Sequence, residues 1–291
     1  MVTSLVQATP DDELSIGPLR IRSRHEYQKL QRLRKDAFTP WSDSHPPRLV
    51  YNLLAHVFQG FLLEARVASG EAVGYLFSAP AFWSGDPGEL QTYDYYMKSL
   101  SRRPLLKLAT IICTGPLRAF EAQLRQAYLR GSNCIVLLAM LVQPEYRGHR
   151  MPTRFIEDLK KVAATKGYRL LVAPFRPSGY GRYKEQTHKA HSADLFREYC
   201  YATSTDGLPI DPWLRTLVQN GMKMLRPEPR SMQVARGLPA FETLRKTFRP
   251  ERWYQTSEHT WECGEAPTWY TDPFTETVTS VEPNLWGMIP V

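Results

Sequence analysis

Leu138-Ala139-Met140-Leu141-Val142-Gln143-Pro144-Glu145-Tyr146-Arg147-Gly148-His149-Arg150-Met151-Pro152-Thr153 joins an apolar strand to a basic turn and then to a helix start. The strand delivers the backbone, and Arg147, His149 and Arg150 supply positive charge. A helix from about Thr153 offers unpaired N–H groups and its positive dipole end to an anion. This is the layout of an anion-binding loop, so a phosphorylated ligand is the first expectation. The plainer alternative for a basic turn before a helix is a solvated cap.

The segment resembles motif A of the GNAT superfamily of acyl-CoA N-acyltransferases. There a strand ending in Val-x-Pro-x-Tyr runs into Arg/Gln-x-x-Gly-x-Gly/Ala and a helix. Val142, Pro144 and Tyr146 match, and Arg147 opens the loop. Arg150 and Pro152 stand where that motif has its glycines, while Gly148 is the extra glycine often seen after the Arg. Pro152 is tolerated at a helix start because that N–H has no intrahelical partner, yet it removes a donor from a phosphate cradle. Arg150 offers a full charge in exchange. The resemblance implies that Leu141, Val142, Arg147, Gly148, His149, Arg150, Met151 and Thr153 hold an acyl-CoA or acyl-phosphopantetheine co-substrate, with no metal.

Composition sets wider bounds. At 291 residues, 43% of them hydrophobic, the chain can hold one large or two small domains with a substantial core. The net charge of +8 favours an anionic partner, whether nucleic acid, a membrane surface, CoA or an acidic carrier protein. Cys113, Cys134, Cys200 and Cys263 form no Cys-x-x-Cys pair, so neither a zinc site nor a disulfide framework is expected. The first residues include Asp and Glu rather than a basic and then apolar leader, and no apolar run reaches the roughly 18 residues of a bilayer span. A soluble, cytoplasmic protein with no membrane partner is the expectation.

Working outward, Gly17 to Arg22 reads as a short strand. Ser23 with Glu26 forms a capping box for a helix to about Phe38. A second helix is expected from Arg48 to Gly60, then two strands, Phe61 to Val67 and Ala72 to Trp83, joined as a hairpin. Residues 84–131 read as a helical insertion, with apolar spacing over Leu105 to Ile112 and Leu117 to Leu129 preceded by Tyr93, Tyr95 and Tyr96. They form either an extra helical layer or dimer surface, or a lid over a large acyl or acceptor groove. After the motif A helix, Gly167 is a C-cap and Tyr168 to Pro174 the next strand, parallel to the first. Pro177 to Arg182 reads as a flexible loop, followed by helices over 192–202 and 211–220 and a strand from Met222.

The fold implied is α/β: a mixed central sheet with splayed strands, flanked by helices, with the helical insertion and a C-terminal extension. Residues 1–131 make the N-terminal GNAT half, or a degenerate GNAT-like unit, and 132–291 the half that binds the acyl donor. The resemblance puts the thioester between Leu141 and Val172. Asp211-Pro212-Trp213-Leu214-Arg215, Arg230-Ser231-Met232 and Glu282-Pro283-Asn284-Leu285-Trp286 are similar to long GNAT acyltransferases of natural-product biosynthesis, some resembling enzymes that use carrier proteins or decarboxylate acyl groups.

Direct acyl transfer needs a neutral amine, a polarised thioester carbonyl and a proton donor for the leaving thiolate. The polarising group is expected to be a backbone N–H near Leu141 or Val142. Alignment of Gly221-Met222 with the family's Gly-Phe puts Leu217 where many members carry an acidic Tyr. Tyr180, Tyr183 and Tyr199 are the candidate replacements, each with packing as its alternative role, and Glu145 is the candidate base, with solvent exposure as the alternative. His188 and His191, three apart, read as surface residues rather than a metal pair, and Glu258 with His259 is a weaker acid/base pair. Ser178 lacks a Gly-x-Ser-x-Gly elbow. Nucleic acid is disfavoured, because Tyr180, Tyr183, Trp253 and Tyr254 come without a recognised binding motif. The expected activity is transfer from acyl-CoA or an acyl carrier protein to an amine acceptor, a small molecule or peptide. The alternatives are a catalytically degenerate GNAT-like binding protein, or a GNAT-like decarboxylase or S-acyltransferase.

Overall fold

The computed structural model describes residues 14–21, 23–37, 58, 60–96, 126, 129, 131–147, 150–265 and 267–291. The expected helices over 48–60, 105–112 and 117–129 lie essentially outside these residues. Strands β1 (Ser15–Pro18), β2 (Leu62–Arg66), β3 (Ala72–Ala81), β4 (Cys134–Val142) and β5 (Leu170–Phe175) stand side by side in chain order. Their contacts are antiparallel as far as β4, and β4 with β5 is parallel. The sheet therefore runs without a break across the expected boundary at residue 131.

The Ser23 cap acts as read. Ser23 Oγ accepts from the Glu26 N–H at 3.1 Å to open α1 (Arg24–Ala37), and the Glu26 carboxylate is engaged by Arg66 at 3.1 Å. The first strand, Ser15–Pro18, lies earlier than the expected Gly17 to Arg22, and just beyond it the Leu19 N–H donates to the Leu62 carbonyl at 2.8 Å. Helix α2 (Met151–Thr165) buries Met151, Phe155, Ile156, Leu159 and Ala163, one face at helical spacing. Gly74 on β3 admits it: a Cβ there would stand 3.1 Å from the Phe155 ring. At the far end Gly167 has φ +80°, and the N–H groups of Gly167 and Tyr168 bond back to Ala164 and Ala163, a Schellman closure of the predicted kind.

The loop expected at 177–182 is instead folded. Tyr180 starts α3 (Tyr180–Thr187), and Gly181 lies so close to the 264–265 backbone that a Cβ would come within 2.5 Å of the Gly264 carbonyl. Helices α4 (Ala193–Tyr201) and α5 (Pro212–Gln219) follow, capped by Ser192 and Asp211. The C-terminal extension is a long antiparallel ribbon of β6 (Lys223–Gly237) and β10 (Thr277–Pro290), with α6 (Leu238–Thr247) and strands β7 (Tyr254–Ser257), β8 (Thr260–Glu262) and β9 (Thr268–Asp272). Phe241, Leu244, Cys263, Trp269 and Val278 form its own core. Cys134, Cys200 and Cys263 are free and buried. No helix among the described residues is long and apolar enough to cross a membrane.

Candidate functional site

Strands β4 and β5 pair at Ile135 with Leu171 and at Val136 with Val172, and then part. A bulge causes the turn-away: Phe77 faces Ala139 and Ser78 faces Leu137, so Leu138 is an extra residue that bends β4 where it leaves β5. Between the parted strands lies a cavity of about 480 Å³. Leu137 to Val142 line it on the β4 side, Ala173 to Ser178 on the β5 side. Beyond Val136 this edge of β4 has no strand partner among the described residues, and it faces the cavity. The sequence expectation set Val172 opposite Leu141. Val172 instead belongs to the closed, paired part of the ladder and is wholly buried with Val136 and Trp286, so the opening begins at Ala173.

The walls differ in charge. On the β4 side, Arg147 and Pro152 complete the lining, and Arg147 Nε also donates to the Val142 carbonyl at 3.3 Å. The other charged and amide lining groups come from the C-terminal half: Arg176 after β5, Glu265 from the turn between β8 and β9, and Glu282 and Asn284 from β10. Arg176 Nη1 donates to Glu282 Oε2 at 3.3 Å. Burial raises the Glu282 pKa, with Arg176 opposing that rise.

The expected donor residues divide. Leu141, Val142 and Arg147 line the cavity, and Arg150 is exposed beside it in sequence, at the N-cap of α2. Arg150 has φ +52° and ψ +15°, a left-handed conformation that glycine adopts with least strain. The loop thus retains a glycine-like turn at the very position where the family motif has glycine, and carries a guanidinium on it. The Met151 side chain is wholly buried in the core, leaving only its backbone for a ligand. Thr153 Oγ1 accepts from Asn220 Nδ2 at 3.3 Å. Gly148 and His149 lie outside the described residues.

The candidate acids are placed away from the cavity. Tyr180 and Tyr183 sit on α3 rather than on a loop, and Tyr180 is fully buried with its hydroxyl 2.9 Å from His191 Nδ1. Tyr199 donates to Asp211 Oδ2 at 2.9 Å, and Tyr183 stacks obliquely on Tyr199 with ring centroids 4.9 Å apart. Burial, above all, pushes the pKa of Tyr180 and Tyr199 well up. Leu217 is buried in the core. Glu145 is exposed on a short turn and does not line the cavity. His191, read as a surface residue, is instead packed between Tyr180 and the Pro229 carbonyl, 3.0 Å from Nε2. Burial holds its pKa down to about 4, so it is neutral at physiological pH. His188 is exposed, as are Glu258 and His259, which stand 3.9 Å apart on a hairpin turn. No group of three or more His, Cys, Asp and Glu suited to a metal occurs among the described residues.

Sequence reasoning did not place Arg176, Glu265, Glu282 or Asn284 in the site, Glu282 and Asn284 having been read only as part of a resemblance. One signal pointed to two of them: Glu282 and Asn284 are polar residues two apart, flanking a proline, inside an otherwise apolar run Val281 to Ile289.

No protein-family model matches the sequence, and no curated protein matches it by sequence. Solved structures do match. The crystal structure of the loading GNATL domain of CurA from Lyngbya majuscula aligns over 95% of this chain and 97% of its own, with TM-score 0.53 and 13% identity. The GphF GNAT-like decarboxylase, in complex with isobutyryl-CoA, aligns over 95% of this chain and 98% of its own, with TM-score 0.52 and 13% identity. Two parallel strands that part after a short ladder, with a helix entered from a basic turn, are what this chain builds from residue 134 onward, and its fold is the GNAT fold.

Proposed function

We propose that this chain is an acyltransferase that moves an acyl group from a phosphopantetheine thioester to an amine by direct attack. The observation that carries the reading is the cavity between the parted strands, with Arg147 on one wall and buried polar groups on the other. The pantetheine arm is extended, apolar and amide-bearing, and the β4 edge offers it backbone partners without charge. Arg147 and Arg150 neutralise its phosphate, assisted by the free N–H groups of the first turn of α2. N–H groups on the same edge of β4 polarise the thioester carbonyl as negative charge develops on oxygen. The amine nitrogen bonds to the carbonyl carbon, the C–S bond breaks, and the thiolate leaves as a thiol on taking a proton.

Calorimetry with CoA tests the donor half. Arg147→Ala and Arg150→Ala should each weaken affinity at least about fivefold, the scale of a charge-assisted contact at a surface turn, with thermal stability retained. Unchanged affinity in both variants rejects the phosphate contact. The donor is read as CoA or a carrier-borne phosphopantetheine, and the net charge of +8 favours an acidic carrier surface. Rates with matched acyl-CoA and acyl-carrier donors should then diverge at low ionic strength and converge at high, since salt screens that attraction. Product mass spectrometry separates acyl transfer from decarboxylation, which would show as loss of CO2 from a malonyl-type donor, and from binding without turnover.

A further inference from the structure

Strand β10 changes partners in mid-course. Thr277 to Val281 pair with β9, Leu285 to Pro290 pair with β5, and Glu282, Pro283 and Asn284 fall in the notch between the two partners. On the opposite edge the register with β6 slips at the same place, where Glu282 faces Met232 and Asn284 faces Glu228. Irregularities of this kind turn side chains out of the regular pleat and favour sites. Pro283 contributes no N–H, so the notch leaves little backbone hydrogen bonding to mend.

The side chains in the notch are buried. Glu282 is 4% exposed and Asn284 3% exposed, and both line the cavity. Arg176 Nη1 donates to Glu282 Oε2 at 3.3 Å. Asn284 Oδ1 is buried and without a hydrogen-bond partner among the described residues. A carboxylate and an orphaned amide oxygen lining one cavity call for a ligand that brings N–H donors, because an orphaned buried acceptor is costly. Tyr93, Met232 and Trp213 supply the apolar surface around them. Of the charged lining groups, Arg176 pairs with Glu282 and Glu265 with Arg249, while Arg147 stands on the β4 wall, where the donor reading assigns it to the phosphate.

From this geometry we infer that Glu282 and Asn284 form the acceptor subsite, that the acceptor is a primary amine on an uncharged apolar body, and that Glu282 is the base that takes its proton. The inference rests on the acyltransferase reading above. A primary ammonium donates to the Glu282 carboxylate and to Asn284 Oδ1, and gives one proton to that carboxylate. The neutral nitrogen attacks the thioester carbon, forming C–N and breaking C–S. Of the two protons the nitrogen sheds, one ends on the departing sulfur and the other leaves Glu282 for solvent, so amide, thiol and one proton are the products.

The test uses acetyl-CoA with n-butylamine, hexylamine and benzylamine, and with glycine as a charged control, following thiol release. The apolar amines should be turned over in preference to glycine. Glu282→Gln, which keeps size and shape, should lower kcat by about 100-fold or more, the scale of a lost general base, while its calorimetric affinity for CoA stays at the wild-type value. Glu282→Asp, a carboxylate set back by one methylene, should recover part of that loss. Asn284→Ala should raise KM for the amine about fivefold with a smaller change in kcat, as loss of one uncharged hydrogen bond does. Turnover by Glu282→Gln within a few-fold of wild type overturns the inference. So does a loss that Glu282→Asp does not lessen, or one matched by lost CoA affinity. A wild-type protein that binds CoA but releases no thiol with any amine also overturns it, leaving the donor half standing, whereas absence of CoA binding rejects the donor reading itself.

Discussion

Lys184→Met is expected to cost about 3–5 kcal/mol of stability, because it leaves a carboxylate buried without its counter-charge. Lys184 and Glu262 are both wholly buried, with Nζ 2.5 Å from Oε2. Thr268 links them, accepting from Nζ at 3.0 Å and donating to Glu262 Oε1 at 2.7 Å, and the His191 N–H reaches the same oxygen at 3.3 Å. Burial drives the lysine pKa down and the glutamate pKa up, and their mutual attraction opposes both shifts. The pair joins α3 to strands β8 and β9, so its loss loosens the seam between the main sheet and the C-terminal extension. At about 2–4 °C per kcal/mol for a protein of this size, the melting temperature should fall by about 10 °C. The double variant Lys184→Met, Glu262→Leu should regain most of that, since a buried pair exchanged for apolar groups of similar volume is often close to neutral. Equal melting temperatures for the single and double variants would show that packing, rather than the unpaired charge, governs the loss.

Asp211→Ala should cost about 4 kcal/mol, because one buried carboxylate serves four donors. Oδ1 accepts from the Trp213 and Leu214 N–H groups at 3.0 and 2.9 Å, capping α5. Oδ2 accepts from the Gly179 N–H at 2.7 Å and from the Tyr199 hydroxyl at 2.9 Å. Loss of the cap accounts for about 1 kcal/mol. The Gly179 and Tyr199 donors, left in the interior, add about 1–3 kcal/mol each, less than additively because they share one site. Asp211→Asn keeps an acceptor for the cap but turns an amide toward Gly179, so its urea midpoint should lie between those of wild type and Asp211→Ala. Ser178, next to Gly179, lines the cavity, and Trp213 lines it two residues after the cap. Asp211→Asn should therefore also weaken CoA binding at a temperature where the variant is still folded. Wild-type CoA affinity in folded Asp211→Asn would show that the 178–179 turn does not shape the donor site.

The local signals were readable because each is written in a few adjacent residues. Ser23 capped its helix, Gly167 ended another in the left-handed conformation, and Asp211 before Pro212 opened a third. The same holds for Val142-Gln-Pro-Glu-Tyr-Arg147 as a strand running out into a basic turn. Arg150 is the instructive mismatch: a missing glycine in the sequence suggested altered loop chemistry, yet its backbone still takes up the left-handed turn. A side chain at positive φ carries a strain of about 1–2 kcal/mol, small enough for surrounding packing to impose.

The roles of the polar side chains were decided only by tertiary structure. Tyr180 and Tyr199 look available in a polar stretch, and packing of α3 against α4 and α5 buries both. Glu282 and Asn284 sit in a C-terminal strand about 140 residues from the basic turn, and become neighbours of that cavity only because β10 inserts beside β5. The chain alone determined where backbone would turn, cap and extend, since those preferences act over a few residues through sterics and local hydrogen bonds. Which polar groups would share one buried space depended on strand order and register, which arise from the burial of apolar surface across the whole sheet rather than from local preferences.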